Sequence, residues 1–243
     1  TIPKIRDTFD FEIEIMRDPP SLVAQNYKNP ALLAYSAYFW NFHQSTLVAK
    51  EAKQKFPKTP IVFGGPSVPL REDDTFEFFK QHPYVDMVVA GEGEIVFADI
   101  LTALAEGRPL SSIQGISYRK NDDTVIYQEK RDYIKDISII PSPFLDGTFD
   151  RLLSKFKEHM TGVVWETNRG CPFTCTFCFW GGPDSKISQF SLERVYSELD
   201  WISKNKIAYI FGADANFGIL KRDVEIARYM ARLNRETGYP KFF

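Results

Sequence analysis

The sequence predicts an α/β protein built in two parts, and three observations carry that expectation. Continuous apolar runs of strand length alternate with helical stretches between residues 31 and 107. A hairpin-like segment and a proline-punctuated stretch interrupt the alternation between 113 and 150. A second strand–helix–strand–helix series begins near residue 161. Buried strands that alternate with helices imply a parallel sheet covered on both faces.

The elements follow in order. FEIEIM (11–16) alternates apolar and acidic residues and reads as a strand. SLVAQNY (21–27), behind Asp18-Pro19-Pro20, reads as a short helix. ALLAYSAYF (31–39) is a buried strand, 42–55 a helix stopped by Phe56-Pro57, and PIVFGG (60–65) a strand running into a glycine turn. Residues 72–81 are helical. VDMVVAGEGE (85–94) is a third buried strand with a glycine-rich tip, and 95–107 a helix closed by Gly107. GISYRKNDDTVIYQEKRDYI holds two strand-like arms about Asn121-Asp122-Asp123, a hairpin. IIPSPFLDGTFD (139–150) reads as a linker. Beyond it, TGVVWET (161–167) is a strand, 191–205 a helix capped by Ser191, IAYIFG (207–212) a strand, and 222–238 a helix ended by Gly238. This last series is the repeat of either a (βα) barrel or a doubly wound sheet. The expected division is a first domain over 1–112, hairpin and linker over 113–160, and a second unit over 161–243.

The 243 residues suffice for one large domain or two modest ones, and 44% apolar content is ordinary for a globular protein. A net charge of −2 supplies no basic field for nucleic acid, which is not an expected partner. No apolar run approaches the roughly 18 residues of a membrane span, and the N-terminus lacks a signal-peptide core. Thr1 at one end, and YPKFF reading as a strand just beginning at the other, suggest a piece of a longer chain.

All three cysteines fall in NRGCPFTCTFCFWGG (168–182), at Cys171, Cys175 and Cys178. An odd, clustered set is a poor disulfide framework and predicts a reducing, cytoplasmic setting. Thiolates bind zinc, copper(I) or iron–sulfur clusters. A closed zinc site needs four ligands, and the nearest histidine, His159, lies before the preceding strand, so zinc fits poorly. A 4Fe-4S cubane normally takes four thiolates; three leave one iron open. Core packing alone gives three thiols no reason to crowd into one loop at a strand tip.

Cys171-x3-Cys175-x-Phe177-Cys178 after the first strand of a βα unit resembles the radical S-adenosylmethionine (SAM) signature, with Glu166-Thr167-Asn168-Arg169-Gly170 leading in and Trp180-Gly181-Gly182 leading out. The resemblance implies that the three cysteines hold a 4Fe-4S cluster whose open iron chelates SAM, and that the electron it delivers yields a 5′-deoxyadenosyl radical. It places Phe177 beside the adenine. It also places Gly212-Ala213-Asp214, where the family has Gly-Gly-Glu, at the SAM amino group. Glu166 and Asn168 are expected to face the barrel mouth.

The first domain resembles the cobalamin-binding domain fused to one large subgroup of these enzymes. The residues that carry the likeness are Ser36-Ala37-Tyr38, Gly64-Gly65-Pro66 and Gly91-Glu92-Gly93-Glu94, all at carboxyl ends of expected parallel strands, where open α/β sheets bind ligands. Glycines there would let a bulky ligand approach the backbone. The chain departs from the wider cobalamin-binding family in lacking the Asp-x-His-x-x-Gly loop and, with it, the first strand, and in having Tyr38 for a leucine. The resemblance implies that Trp40 lies near the lower corrin face; His43 reads as structural.

Together these likenesses imply a Rossmann-like (flavodoxin-like) parallel-sheet domain followed by the first part of a (βα)6 partial TIM-type barrel. They imply a radical SAM enzyme with cobalamin as methyl carrier, methylating an unactivated carbon of a small molecule or peptide. Its electron donor would be a protein such as flavodoxin or ferredoxin. Two alternatives stay open: a cobalamin-binding radical SAM enzyme that rearranges or cyclises its substrate, and a truncated, non-catalytic cluster-binding protein.

Overall fold

A computed structural model of the chain describes residues 2–15, 17–121, 123–178 and 186–243. The chain divides into two compact units, Thr1–Ile134 and Lys135–Phe243.

The first unit opens with α1 (Ile2–Thr8) and α2 (Pro20–Asn26), then alternates β1 (Leu33–Ser36), α3 (Phe42–Lys55), β2 (Ile61–Gly64), α4 (Glu72–Gln81), β3 (Met87–Val89) and α5 (Glu94–Glu106). β4 (Ile116–Asn121) and β5 (Thr124–Ile126) complete a sheet of order β1-β2-β3-β4-β5. β1, β2 and β3 are parallel, with Tyr35 opposite Phe63 and Phe63 opposite Val88. The sheet is covered on both faces, as its continuous apolar strands require. Ile61 and Phe63 of β2 pack with Ala49, Ala52 and Phe79 from α3 and α4, whereas Val62 between them packs with Met87 and Ile100. Side chains alternate across a strand, so successive residues of β2 feed opposite cores. Phe63 is fully buried, and truncating such a residue to alanine costs about 3–5 kcal/mol. α5 ends as expected: Gly107 takes the left-handed conformation at φ 65° and its N–H returns to Ala103 and Leu104.

Two expectations need correction here. Residues 11–15 form no strand, and Phe11, Ile13 and Ile15 are each more than 40% exposed (Met16 lies outside the described residues). Alternation is only half of a strand; the other half is a neighbour that accepts and donates backbone hydrogen bonds, and among the described residues the sheet pairs β1 only with β2. The hairpin does not stand apart from the first sheet. β4 pairs antiparallel with β3, Met87 opposite Tyr118, and β5 with β4, so the hairpin extends the sheet (Asp122 of its turn lies outside the described residues). The expected 113–160 segment is shared, 113–134 in the first unit and 135–160 in the second.

The second unit contains α6 (Thr148–Phe156), β6 (Gly162–Trp165), β7 (Asn168–Arg169), β8 (Ser188–Gln189), α7 (Leu192–Lys204), β9 (Tyr209–Gly212) and α8 (Lys221–Thr237). α6 begins inside the stretch expected to be linker. Asp146 Oδ1 accepts the Thr148 N–H at 2.9 Å, and Leu152 and Phe156 are buried. An Asp-Gly-Thr start with apolar residues four apart was a readable helix signal that the prolines obscured. β6 and β9 are parallel, Val163 opposite Ile210, and Phe242 bridges to Tyr209 in the same sense, so a third strand begins at YPKFF. Val163 and Trp165 are buried, as are Val195, Leu199 and Ile202 of α7 and Ile226, Met230 and Leu233 of α8. The intervening Val164, and Phe211 on β9, are more than 60% exposed. Trp165 donates from Nε1 to Glu198 (2.9 Å), itself held by Arg194 (2.8 Å) and 2% exposed. A buried carboxylate with a cation and an indole N–H is satisfied rather than stranded.

Candidate active site: the cysteine loop and the glycine tips

β6 ends at Trp165, and the parallel ladder continues one step further through the Ala213 N–H to the Trp165 carbonyl at 2.8 Å. This places Asp214 at the foot of the cysteine loop. Its carboxylate accepts from Thr167 N–H (2.6 Å), Asn168 N–H (3.1 Å), Asn168 Nδ2 (2.8 Å) and, in a very short bond, Thr167 Oγ1. A carboxylate offers about four lone-pair positions, so this one is filled by its own chain. Asp214 therefore braces the loop, and the contact with a SAM ammonium that the Gly-Gly-Glu likeness implied has no free acceptor in this arrangement. Thr167 and Asn168 are buried, so Asn168 does not open to solvent, and Glu166 is paired with Arg169 (2.8 and 3.1 Å).

The loop is closed by a stem that the sequence did not advertise. Asn168 and Arg169 of β7 pair antiparallel with Gln189 and Ser188 of β8. Arg222, from the first turn of α8, donates to the carbonyls of both Thr167 and Phe190, one on each side of the stem. Burial lowers the Arg222 pKa, and the charges of Asp223 and Asp214 oppose that shift. Gly170 follows the stem at φ 99°; a Cβ there would lie 2.4 Å from the Lys186 carbonyl oxygen on the returning arm. Glycine is the residue that permits both the conformation and the approach.

Beyond Gly170 the three thiols differ. Cys171 is buried at 6% exposure and its Sγ accepts from Asn216 Nδ2 at 3.0 Å. Cys175 is exposed and Cys178 half-buried, joined in a turn by Cys178 N–H to Cys175 carbonyl (3.0 Å). Phe177 is 91% exposed, unpacked against the loop. Among the described residues, no three His, Cys, Asp or Glu side chains lie close enough to hold a metal ion. The thiols share one loop without converging. Trp180, Gly181 and Gly182 lie outside the described residues. Gly212 has the Phe243 ring 3.2 Å from where its Cβ would be.

In the first unit, β1 and β2 meet tip to tip. Ala37 N–H donates to the Gly64 carbonyl (2.6 Å) and Ser67 N–H to the Ala37 carbonyl (2.9 Å). Gly65, at φ 107°, would put a Cβ 2.9 Å from the Ala37 oxygen, so its glycine is required by the chain's own packing, independent of any ligand. Ser36 ends β1 and is exposed. After it, Tyr38 and Trp40 stack at 4.5 Å and 18°, and Phe39 meets Trp40 edge-on at 4.8 Å. Trp40 is half-exposed. Asn41 Oδ1 accepts from Tyr38 N–H at 2.8 Å and fixes this aromatic turn. His43 is exposed in the first turn of α3. At the third tip, Gly91 has φ 79° with the Lys130 stem beside it, Glu92 accepts from Ile134 N–H (2.5 Å), and Gly93 precedes α5. β2 and β3 are neighbours, so the second and third tips emerge side by side at the same carboxyl edge.

The B12-binding domain family matches residues 10–101. The chain is 36% identical, over 98% of its length, to the cobalamin-dependent radical SAM methyltransferase TokK of Streptomyces tokunonensis. It is 37% identical, over 98%, to 2-(S-pantetheinyl)-carbapenam-3-carboxylate methyltransferase of Streptantibioticus cattleyicolor. It spans about a third of the length of these relatives, 35% of each. Among solved structures, the radical SAM methyltransferase TsrM of Kitasatospora setae shares the fold with a TM-score of 0.63 at 17% identity, over 93% of this chain and 45% of that one. Among the described residues no helix is long and apolar enough to cross a membrane. With a cobalamin-binding-type sheet preceding a three-cysteine loop on a parallel βα unit, the chain belongs to the cobalamin-dependent radical SAM proteins.

Proposed function

We propose that this chain is the cofactor-carrying part of a radical SAM methyltransferase that methylates an unactivated carbon. The observation that carries the reading is the cysteine loop itself: three soft donors on one excursion from a strand's carboxyl end, braced at both feet, with no fourth cysteine in the chain. That donor set fits a 4Fe-4S cluster with one iron left for SAM. Cys171, Cys175 and Cys178 would hold it. The exposed Phe177 is free to cover the adenine, and Gly212 and Ala213 leave backbone at the adjacent strand tip for the SAM amino group; Asp214 supports them by holding Thr167 and Asn168. In the first unit, Ser36, Gly64, Gly65, Gly91, Glu92 and Gly93 would line the cobalamin site, with Tyr38 and Trp40 as a stacked aromatic platform against the corrin. When bound, the cluster supplies the electron for SAM cleavage and cobalamin carries the methyl group.

Methylation is favoured over rearrangement by the two relatives at 36% and 37% identity, both named methyltransferases. The carbapenam in one of those names makes a small ring-bearing carboxylate the first substrate class to screen. A low-potential protein such as flavodoxin or ferredoxin would deliver the electron.

The test is anaerobic reconstitution with iron and sulfide, followed by electron paramagnetic resonance before and after SAM. Four irons per chain and a spectrum that changes with SAM are expected. Zinc in the loop, or a cluster signal indifferent to SAM, overturns the reading. Mass spectrometry of the product, for an added methyl together with S-adenosylhomocysteine, then separates methylation from cyclisation.

A further inference from the structure

Asn216 puts its side chain in hydrogen-bonding contact with a cysteine sulfur, and nothing in the three-cysteine spacing calls for it. It lies two residues beyond Asp214 on the segment after β9, 45 residues from Cys171 in sequence. Asp214 ties that segment to the foot of the cysteine loop through Thr167 and Asn168. The brace therefore fixes where Asn216 stands, and its Nδ2 reaches Cys171 Sγ at 3.0 Å. Cys171 is also the buried thiol of the three, while Cys175 is exposed.

We propose that Asn216 is a positioning residue for the cluster. It holds Cys171 in place as the pre-set ligand and sets the cluster's reduction potential through its N–H···S bond. The inference rests on the cluster reading above. A hydrogen bond to a ligand sulfur draws negative charge from the thiolate, which favours the reduced cluster; hydrogen bonding to sulfur is among the levers that set iron–sulfur potentials. Cys175 is exposed and Cys178 half-buried, so the chain would offer one fixed ligand and two that must gather to it.

Two variants read this out. Asn216→Leu keeps the volume and removes the donor; Asn216→Asp keeps the shape and puts negative charge against the sulfur. In reconstituted protein, the reduced-to-oxidised cluster ratio, measured by paramagnetic resonance at the wild-type midpoint potential, is expected to fall about tenfold in Asn216→Leu and further in Asn216→Asp. Tenfold corresponds to about 59 mV for one electron. Ratios within twofold of wild type in both variants overturn the inference. A cluster-free measurement covers variants that fail to load: anaerobic alkylation of the apo chain, resolved by mass spectrometry at each cysteine. Cys171 should react slowest in the wild type and its rate should shift about tenfold in Asn216→Leu, with Cys175 and Cys178 unchanged. Equal rates at the three cysteines, or no change at Cys171, overturn it. Failure of the wild-type chain to load iron would count against the cluster reading itself, and the alkylation result would stand apart from it.

Discussion

In the second unit, the cysteine loop is held by side chains. Asp214 fills its four acceptor positions with Thr167 and Asn168, and Arg222 donates to a carbonyl on each side of the stem. In the first unit, the tips of β1 and β2 are joined to each other by backbone. Ala37, Gly64 and Ser67 bond main chain to main chain, and Gly65 is shaped to fit against Ala37. A loop proposed to hold a small inorganic group would have to keep its donors within reach of it, and a polar brace gives this one a defined footing. The tips proposed for a large ligand present mostly main chain and one aromatic turn, so their shape is what would matter.

Substitutions can break this contrast, and the largest effect belongs to the loop's donors. Cys171→Ser, Cys175→Ser or Cys178→Ser should each reduce iron after reconstitution to near background, while mutation of the glycine tips leaves iron content unchanged; elemental analysis decides. Next comes the brace. Asp214→Ala strands the polar groups of buried Thr167 and Asn168 and should cost about 2–4 kcal/mol in urea unfolding of the chain, at about 1–3 kcal/mol per unsatisfied group. Retention of full stability would mean that water replaces the carboxylate.

Gly65→Ala meets both a positive φ and the Ala37 oxygen and should cost about 2–3 kcal/mol. Gly107→Ala has the same sign of φ but nothing within 4 Å, and should cost about 1 kcal/mol. Equal costs at the two sites, by the same unfolding measurement, would remove the case for tip-to-tip packing.

The smallest effect is on pH dependence. Burial lowers the His82 pKa below its ordinary 6.5, with Phe78 and Phe42 against the ring and the Tyr84 hydroxyl at Nδ1 (2.8 Å). The unfolded state then binds more protons in mild acid. Stability from neutral His82 is complete above about pH 6.5 and is lost as pH falls towards the folded value. The slope between about pH 7 and about pH 5 should flatten in His82→Asn, seen as a shrinking difference between the two unfolding midpoints.

The same contrast explains how much could be read from sequence. β1, β2, β3, α3 and α4 follow from apolar runs and proline or glycine stops, because each is specified by its own residues; α3 and α4 match the expected 42–55 and 72–81. The three cysteines are legible because spacing alone distinguishes them. FEIEIM misled because pattern says nothing of a partner strand. The β7–β8 stem, Arg222 and Asn216 were illegible for a different reason: their meaning lies in pairings between distant residues that no local window contains. Asn216 stands 45 residues from Cys171, and Arg222 stands 55 from Thr167. Asp214 was singled out by analogy, which gave no sign of its hydrogen bonds to Thr167 and Asn168.

The β7–β8 ladder sets the loop apart from the unit that carries it. Its two strands join the excursion to the body of the unit at a waist, and Arg222 buckles that waist from the side of α8. Damage inside 170–187, whether oxidation of the thiols or a protease nick, should stop at the waist. Helices α7 and α8 would keep their core, so the unit should stay a sound vessel whether its loop is filled or empty.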